Sequence, residues 1–217
     1  MKKTYLILLL LSLSAAFAQS RREEKMQLAE AEMKSATNTF SVQVNPNTLN
    51  YDITYHRLDF TLNPSVKFIT GKVTTTYTAL ENMNTITFDI ANQLTASSVK
   101  IGTSNLTFTE SGNNELVINL PSTQLQGTSA TIEVNYSGVP PANGFDSFVQ
   151  TTHAGSPIIW TLSEPFGARD WWPCKQDLND KIDSIDVYIT APSQYISVAN
   201  GIETNPPVIS GGNKTTH

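Results

Sequence analysis

The sequence predicts an all-β fold in which antiparallel strands form a sandwich or a pair of packed sheets. Thr, Ser and Asn account for 65 of the 217 residues, and these short polar side chains suit pleated surfaces and turns. Charged residues make up only 15% of the chain, so several strong helix formers are scarce. Apolar and polar residues alternate with a period of two over much of the sequence, as in strands with one buried face.

Residues 1–18 have the plan of a secretory signal peptide. Lys2 and Lys3 precede an apolar run over residues 5–11, and Ala16-Phe17-Ala18 provides a small-x-small cleavage signal. The apolar run is shorter than the roughly 20 residues that span a bilayer, which disfavours the alternative of an uncleaved membrane anchor. We therefore expect an exported protein, periplasmic or extracellular, with no transmembrane segment after cleavage.

Residues 19–44 form a charged stretch that is compatible with a helix. Its acidic and basic side chains balance, since the charges between residues 20 and 40 sum to zero. We expect a solvated leader helix or a linker outside the core. The whole chain carries a net charge of −5 and has no run of Lys or Arg, so nucleic acid is not an expected partner.

Strand alternation begins near residue 45. Tyr51, Ile53 and Tyr55 alternate with polar residues, and the apolar face then slips by one residue. The slip falls at His56-Arg57 and predicts a β-bulge there. Further strands are predicted over residues 69–79, 85–90, 115–120, 130–136, 157–162, 185–189 and 195–199. The last residues, 206–217, read as a hairpin that is cut before it is complete, which predicts a fragment of a longer polypeptide.

Residue types alone provide no complete catalytic constellation. The histidines His56, His153 and His217 are isolated, and the chain has no H-E-x-x-H zinc motif, no G-x-S-x-G nucleophile elbow and no phosphate-binding glycine loop. We interpret the lone histidines as structural residues. Cys174 is the only cysteine, so it cannot form an internal disulfide, and we interpret it as a buried packing residue.

One stretch, residues 160–174, resists a purely structural interpretation. It holds all three tryptophans of the chain beside Glu164, Arg169 and Asp170. Carboxylates next to bulky aromatic rings can lose part of their hydration, which makes their charge state and choice of partner important. Two interpretations remain open: a functional site, or aromatic rings that fill a corner of the core while Arg169 pairs with Asp170 or Glu164.

A series of short motifs occurs in a fixed order along the chain. The motifs are Gly71-Lys72-Val73, Gly138, Gly144-Phe145, Ser163-Glu164-Pro165, Ala168-Arg169, Pro173-Cys174, Asp180-Lys181 and Ala199-Asn200-Gly201. Together with the strand from Tyr51, this order resembles the aminopeptidase N family of zinc metallopeptidases. The resemblance covers residues 45–217 and implies the N-terminal β-domain of such an enzyme, a saddle of sheets that packs against a following catalytic domain.

The resemblance also implies one substrate-binding residue. Glu164 lies nine residues before Pro173, where the family has a Glu or Gln that binds the free α-amino group of a peptide. The family's zinc ligands and its Gly-x-Met-Glu-Asn loop belong to the next domain. The resemblance therefore implies a parent zinc aminopeptidase acting on peptides with a free N-terminus, and a chain that holds no catalytic residue and no metal ligand and is inactive alone.

Two departures from the family pattern occur, and the second bears on local loop geometry. Asp146 follows Gly-Phe where Tyr is common, and residues 175–179 replace the usual Asp-x-Pro after Pro-Cys. A function from another class also remains open, namely a stand-alone secreted β-sandwich that binds carbohydrate or protein through its tryptophans. Exposed and coplanar tryptophan rings would favour that alternative, whereas buried rings would favour the enzyme domain.

Overall fold

The computed structural model describes residues 44–142 and 146–217, together with residues 19, 21–23, 25–30 and 33. The predicted signal peptide and the Gly144-Phe145 motif lie outside the described residues. The chain divides between Ser41 and Val42. On the N-terminal side, the described residues are helical and exposed. Among the residues that the structure describes, none of the helices combines the length and the apolar character that a bilayer-spanning segment needs.

The C-terminal unit is built from strands. Within residues 44–142 and 146–217 these are β1 Tyr51–Leu62, β2 Ile69–Ala79, β3 Met83–Asp89, β4 Leu94–Ile101, β5 Ser104–Asn105, β6 Phe108–Ser111, β7 Glu115–Gln124, β8 Ser129–Gly138, β9 Phe148–His153, β10 Ser156–Thr161, β11 Ser184–Pro192, β12 Val208–Ser210 and β13 Asn213–Thr216. Two short 3-10 turns, Pro46–Thr48 and Ala168–Asp170, accompany them. The predicted all-β fold is confirmed.

The strands form three sheets. The large sheet has the order β12-β13-β11-β1-β2-β8-β4-β5, a second sheet has the order β3-β7-β6, and β9 pairs with β10 alone. Neighbouring strands are antiparallel except β1 and β11, which run parallel. The sequence pattern does not predict this parallel pair, because alternation reports which face of a strand is buried and not the direction of a partner far along the chain.

The core lies between the large sheet and the β3-β7-β6 sheet. Tyr51 on β1 connects the two layers, since its ring packs edge-on against Phe88 of β3 with ring centroids 5.8 Å apart. The Tyr51 hydroxyl also donates a hydrogen bond of 2.7 Å to the carbonyl of Thr87. Residues on the inner faces of both sheets, such as Val73 and Ile118, are buried in one continuous cluster.

The β-bulge of β1 lies earlier than the sequence predicts. The register of β1 against β2 shifts between Ile53 and Tyr55, not at His56-Arg57. As a result His56 faces the core and is only 2% exposed, whereas Tyr55 is half-buried. The alternation of apolar residues alone misplaced the bulge because a neutral, hydrogen-bonded imidazole can occupy a core position.

Other differences concern strands with weak alternation. The predicted set lacks β4, β5, β6 and β9. Strand β4 has a register shift between Ala96 and Ser98 that breaks its period. Residues 195–199 form no strand. Strand β10 is half-buried along its centre rather than fully buried. At the end of the chain β12 pairs with β13, and β13 pairs with β11.

Candidate functional site

Glu164 lies on a loop that connects β10 to the 3-10 turn Ala168–Asp170. The loop covers residues 162–167, and the side chain of Glu164 is exposed. Its peptide bond to Pro165 is cis. A hydrogen bond of 2.7 Å from the amide of Gly167 to the carbonyl of Ser163 closes the loop into a compact turn. The turn therefore presents the carboxylate at the protein surface.

Hydrogen bonds on both sides of Glu164 anchor this loop. The amide of Leu162 donates to the carbonyl of Ser147 at 3.0 Å. On the other flank, the indole Nε1 of Trp171 donates to Ser163 Oγ at 2.8 Å. Asp170, which is buried, accepts a hydrogen bond from the hydroxyl of Ser147. These contacts attach the loop to Ser147, directly before β9, and to the core instead of leaving it tethered only at its ends.

Two of the tryptophans pack into the core and form no flat platform. Trp171 and Trp172 are half-buried against the hydrophobic cluster. Their ring planes lie 69° apart at a centroid distance of 6.2 Å. Trp172 and His56 form a T-shaped ring pair, with ring centroids 5.1 Å apart. A sugar stacks best on an open, coplanar surface, so this geometry does not favour the carbohydrate-binding alternative.

Cys174 joins the site to the small sheet. Its amide and carbonyl exchange hydrogen bonds of 3.0 and 2.7 Å with the backbone of Asp89. The residue is buried, and burial raises the pKa of its thiol well above the usual value. A thiol held in the protonated form is a poor nucleophile, so the structure agrees with the interpretation of Cys174 as a packing residue.

Asp89 is a buried carboxylate next to Cys174. Burial raises the pKa of Asp89, although hydrogen bonds from Asn45 and from the amide of Gln176, together with the charge of Arg169, oppose this shift. The carbonyl of Arg169 accepts a hydrogen bond of 2.9 Å from the amide of Ala91. Contacts around the end of β3 therefore attach the segment after Glu164 to the small sheet.

The sequence pattern does not predict the ion pair between Lys175 and Asp180. Nζ of Lys175 lies 2.5 Å from Oδ2 of Asp180, and the side chains are only 4% and 5% exposed. Lys175 belongs to residues 175–179, where the sequence departs from the pattern of the family that it resembles. A Lys and an Asp five residues apart in an irregular segment give no sequence signal of contact, because their meeting depends on the path of the loop.

Two open grooves lie beside β11. Residues from the segment 195–204 form one wall of each groove. The larger has a volume of about 470 Å³ and includes Ile185, Val187 and Val198 in its lining. The smaller, of about 160 Å³, lies between this segment and β10. Ile196, Val198 and Ile202 are 86%, 82% and 89% exposed, so a large part of this surface is apolar.

The histidines do not form a metal site in the described part of the chain. His56 accepts or donates one hydrogen bond of 3.0 Å with Thr75 Oγ1, and His217 contacts Asp186 with Nε2 and Oδ1 3.0 Å apart. Across residues 44–142 and 146–217, no three His, Cys, Asp or Glu side chains converge where they could hold a metal ion. These residues therefore do not fit a zinc ion.

Comparison with known proteins identifies relatives over most of the chain. The model of the peptidase M1 N-terminal domain matches residues 21–217. No curated protein sequence matches the chain.

Several solved structures share the fold. One is a two-domain M1 zinc metallopeptidase mutant bound to L-tryptophan, with a TM-score of 0.69 and 23% identity over 78% of this chain and 39% of that one. Another is an M1 zinc metallopeptidase mutant from Deinococcus radiodurans bound to a Tyr-Ser-Ala substrate, with a TM-score of 0.66 and 22% identity over 77% of this chain. The chain spans about 38% of the length of that protein.

Proposed function

The chain belongs to the peptidase M1 N-terminal domain family, which confirms the resemblance seen in the sequence, and from this membership we propose that it is the substrate-anchoring part of an exported zinc aminopeptidase. The complete enzyme releases N-terminal amino acids from peptides. Glu164 binds the free α-amino group of the substrate. The observation that carries this proposal is the exposed carboxylate of Glu164 on a turn anchored on both sides.

The chemistry of the amine suits this role. An α-amino group has an ordinary pKa near 8 and is largely cationic at neutral pH. A carboxylate on a fixed turn makes a charge-assisted hydrogen bond to it, which is stronger than a neutral one. Binding the amino end at a fixed place determines which peptide bond reaches the reactive centre, so cleavage is restricted to the first bond.

We assign the zinc site and the catalytic residues to polypeptide beyond residue 217. Two observations support this assignment: the described residues bring no set of ligands together, and the chain spans about 38% of the length of its structural relatives. A bound zinc would polarise the scissile carbonyl and activate water. The chain by itself is accordingly inactive.

The apolar surface beside β11 is the proposed contact for that catalytic part. Ile185, Val187 and Ile189 lie on one face of β11 and retain partial exposure, and the neighbouring Ile196 and Ile202 are almost fully exposed. Contiguous apolar surface of this kind on a soluble protein marks an interaction site. Covering it with the rest of the polypeptide would remove this area from water and stabilise both parts.

Export follows from the proposed signal peptide at residues 1–18, which places the enzyme in the periplasm or outside the cell. N-terminal sequencing of the mature protein checks this proposal. Cleavage after Ala18 gives a first residue of Gln19, whereas a mature chain that starts at Met1 would contradict export by this route.

The role of Glu164 is tested in the chain extended by its own gene past residue 217 and loaded with zinc. Glu164→Ala is expected to lower kcat/KM for a free-amine peptide roughly tenfold to hundredfold, the equivalent of one lost hydrogen bond to a charged group. Glu164→Gln should lose less, because an amide still accepts a hydrogen bond. Glu81→Ala, an exposed Glu on the turn between β2 and β3, is the matched control. Unchanged activity of Glu164→Ala would remove Glu164 from the site.

A further inference from the structure

A short series of contacts connects the core of the large sheet to Glu164. We propose that Tyr136, Trp171 and Ser163 are positioning residues that hold Glu164 where it can bind the substrate's amino group. The proposal rests on the function proposed above for Glu164. None of the three needs to touch the substrate, since each acts through the next one along the path.

The first contact fixes the residue directly before Glu164. Ser163 Oγ accepts the 2.8 Å hydrogen bond from the indole of Trp171, and the Ser163 carbonyl accepts the 2.7 Å bond from Gly167. An indole Nε1–H can only donate, so the hydroxyl oxygen is the acceptor in this contact. Side chain and backbone of Ser163 are both held, which limits rotation of the backbone that leads into Glu164.

The second contact explains why Trp171 is a rigid partner. Its ring packs against aromatic residues of two different strands, with centroids 5.1 Å from Phe60 on β1 and 6.3 Å from Phe148 on β9. Tilted aromatic pairs at these distances are favourable beyond the area that they bury. Rotation of the indole away from Ser163 would break this packing, so the donor stays in place.

The third contact attaches Trp171 to the centre of the sheet. The hydroxyl of Tyr136 on β8 donates a 2.7 Å hydrogen bond to the carbonyl of Trp171. Burial raises the pKa of Tyr136 well above its usual value, so the phenol remains protonated and remains a donor at neutral pH. The ring of Tyr136 occupies the space above Gly71 on β2, where an added Cβ would collide with it.

Together these contacts fix the position of the Glu164 carboxylate. The residues involved are Gly71, Tyr136, Trp171 and Ser163. A binding carboxylate is effective only when it lies within a narrow range of distances and angles from the ammonium, and supporting contacts decide whether it does. A loop on the surface would ordinarily be mobile, whereas this one is fixed by a path that begins in a central strand. The arrangement predicts that these residues control recognition of the amine although they lie behind Glu164.

The experiment uses the zinc-loaded enzyme extended past residue 217 and two substrates, a peptide with a free α-amino group and its analogue that lacks this amine. The ratio of kcat/KM for the two substrates measures amine recognition. Ser163→Ala removes the acceptor and Trp171→Phe removes the donor of the same hydrogen bond. Each variant is expected to lower the ratio roughly threefold to tenfold. The double variant should lose no more than either single one, because the same bond is removed.

Rescue and controls separate positioning from general damage. Ser163→Thr retains a hydroxyl and should restore the ratio to within about twofold of the parent protein. Tyr136→Phe should lower the ratio, whereas Tyr77→Phe, which removes another buried hydroxyl that bonds Gln124 instead, should leave it unchanged. A variant that is merely less stable lowers kcat/KM for both substrates and keeps the ratio.

The outcomes distinguish this inference from the proposed function. If Glu164→Ala leaves the ratio unchanged, the proposed function of Glu164 is wrong. If Glu164→Ala abolishes amine recognition while Ser163→Ala and Trp171→Phe keep the parent ratio, the positioning role alone is overturned. Should one of these two variants fail to fold, the other still removes the same hydrogen bond and decides the question.

Discussion

Lys175 and Asp180 bind backbone groups at the start of β1, where none of the described strands pairs with that side of β1. Lys175 Nζ donates a hydrogen bond of 2.6 Å to the carbonyl of Tyr51. The Asp180 carboxylate accepts a hydrogen bond of 3.2 Å from the amide of Ile53. The parallel partner β11 starts to pair only at Tyr55. The two side chains therefore satisfy backbone groups of β1 that lie before the pairing with β11 begins. Their opposite charges form an ion pair, with Nζ and Oδ2 2.5 Å apart.

Removal of one partner of this ion pair should be strongly destabilising. Lys175→Met leaves the Asp180 carboxylate buried without its counter-charge, and the expected loss is about 3 to 5 kcal/mol in the free energy of unfolding. Urea denaturation measures it. Lys72→Met is the matched control, because Lys72 makes only partly exposed contacts with Asp59 and Glu133 and should cost less than about 1 kcal/mol. Equal losses for the two variants would contradict a special role for Lys175.

His56 should make stability dependent on pH between about 6.5 and 4. Burial lowers the pKa of His56 from 6.5 to about 4, so the unfolded chain binds this proton more tightly than the folded protein does. Stability is then complete above pH 6.5 and falls by about 3 kcal/mol as the pH drops to 4. The difference between the protein and His56→Gln in urea midpoints across this range isolates the contribution. The same substitution at His153, which is exposed, serves as control.

Gly138 should not tolerate a side chain. A Cβ at this position would meet the backbone carbonyl of Gln93 and would lie 2.9 Å from the Cα of Leu94, so neighbouring backbone would have to move. Gly138→Ala is expected to destabilise the fold by about 1 to 3 kcal/mol. At Gly112 an added Cβ meets nothing within 4 Å, and Gly112→Ala should stay within about 0.5 kcal/mol of the parent. A thermal melt of both variants compares them, and a neutral Gly138→Ala would show that β4 can shift.

The apolar surface beside β11 should make the isolated chain associate. Ile202 is 89% exposed, and replacement by Ser removes apolar area from the surface without emptying the core. Light scattering of the mature chain should show less self-association for Ile202→Ser, with an unchanged melting temperature. Leu125→Ser, at the turn between β7 and β8 and 58% exposed, is the control for loss of any surface leucine or isoleucine. Equal effects of both would argue against a special surface at β11.

Local patterns were sufficient for much of the fold. The bounds of β2 at Ile69 and Ala79 agree with the prediction. The polar and apolar residues of this strand alternate without interruption, and successive side chains of a strand point to opposite faces, so residue type indicates which side chains are buried. Strand β4 escaped prediction, since its small polar residues and its register shift after Ala96 hide the period. Glu164 is a candidate substrate-binding residue because of the order of motifs along the chain, and this order can be read directly from a sequence.

What the sequence by itself determined was the all-β class, the main strands and the family, because alternation and the order of motifs can be read along the chain without knowing which segments meet in space. Tertiary structure alone decided the bulge before Tyr55, the parallel pairing of β1 with β11, and the contacts of Lys175 with Asp180 and of Ser163 with Trp171. Each of these depends on which distant or irregular segments meet in space. Their free energies come from burial and hydrogen-bond geometry that exist only once the sheets have packed.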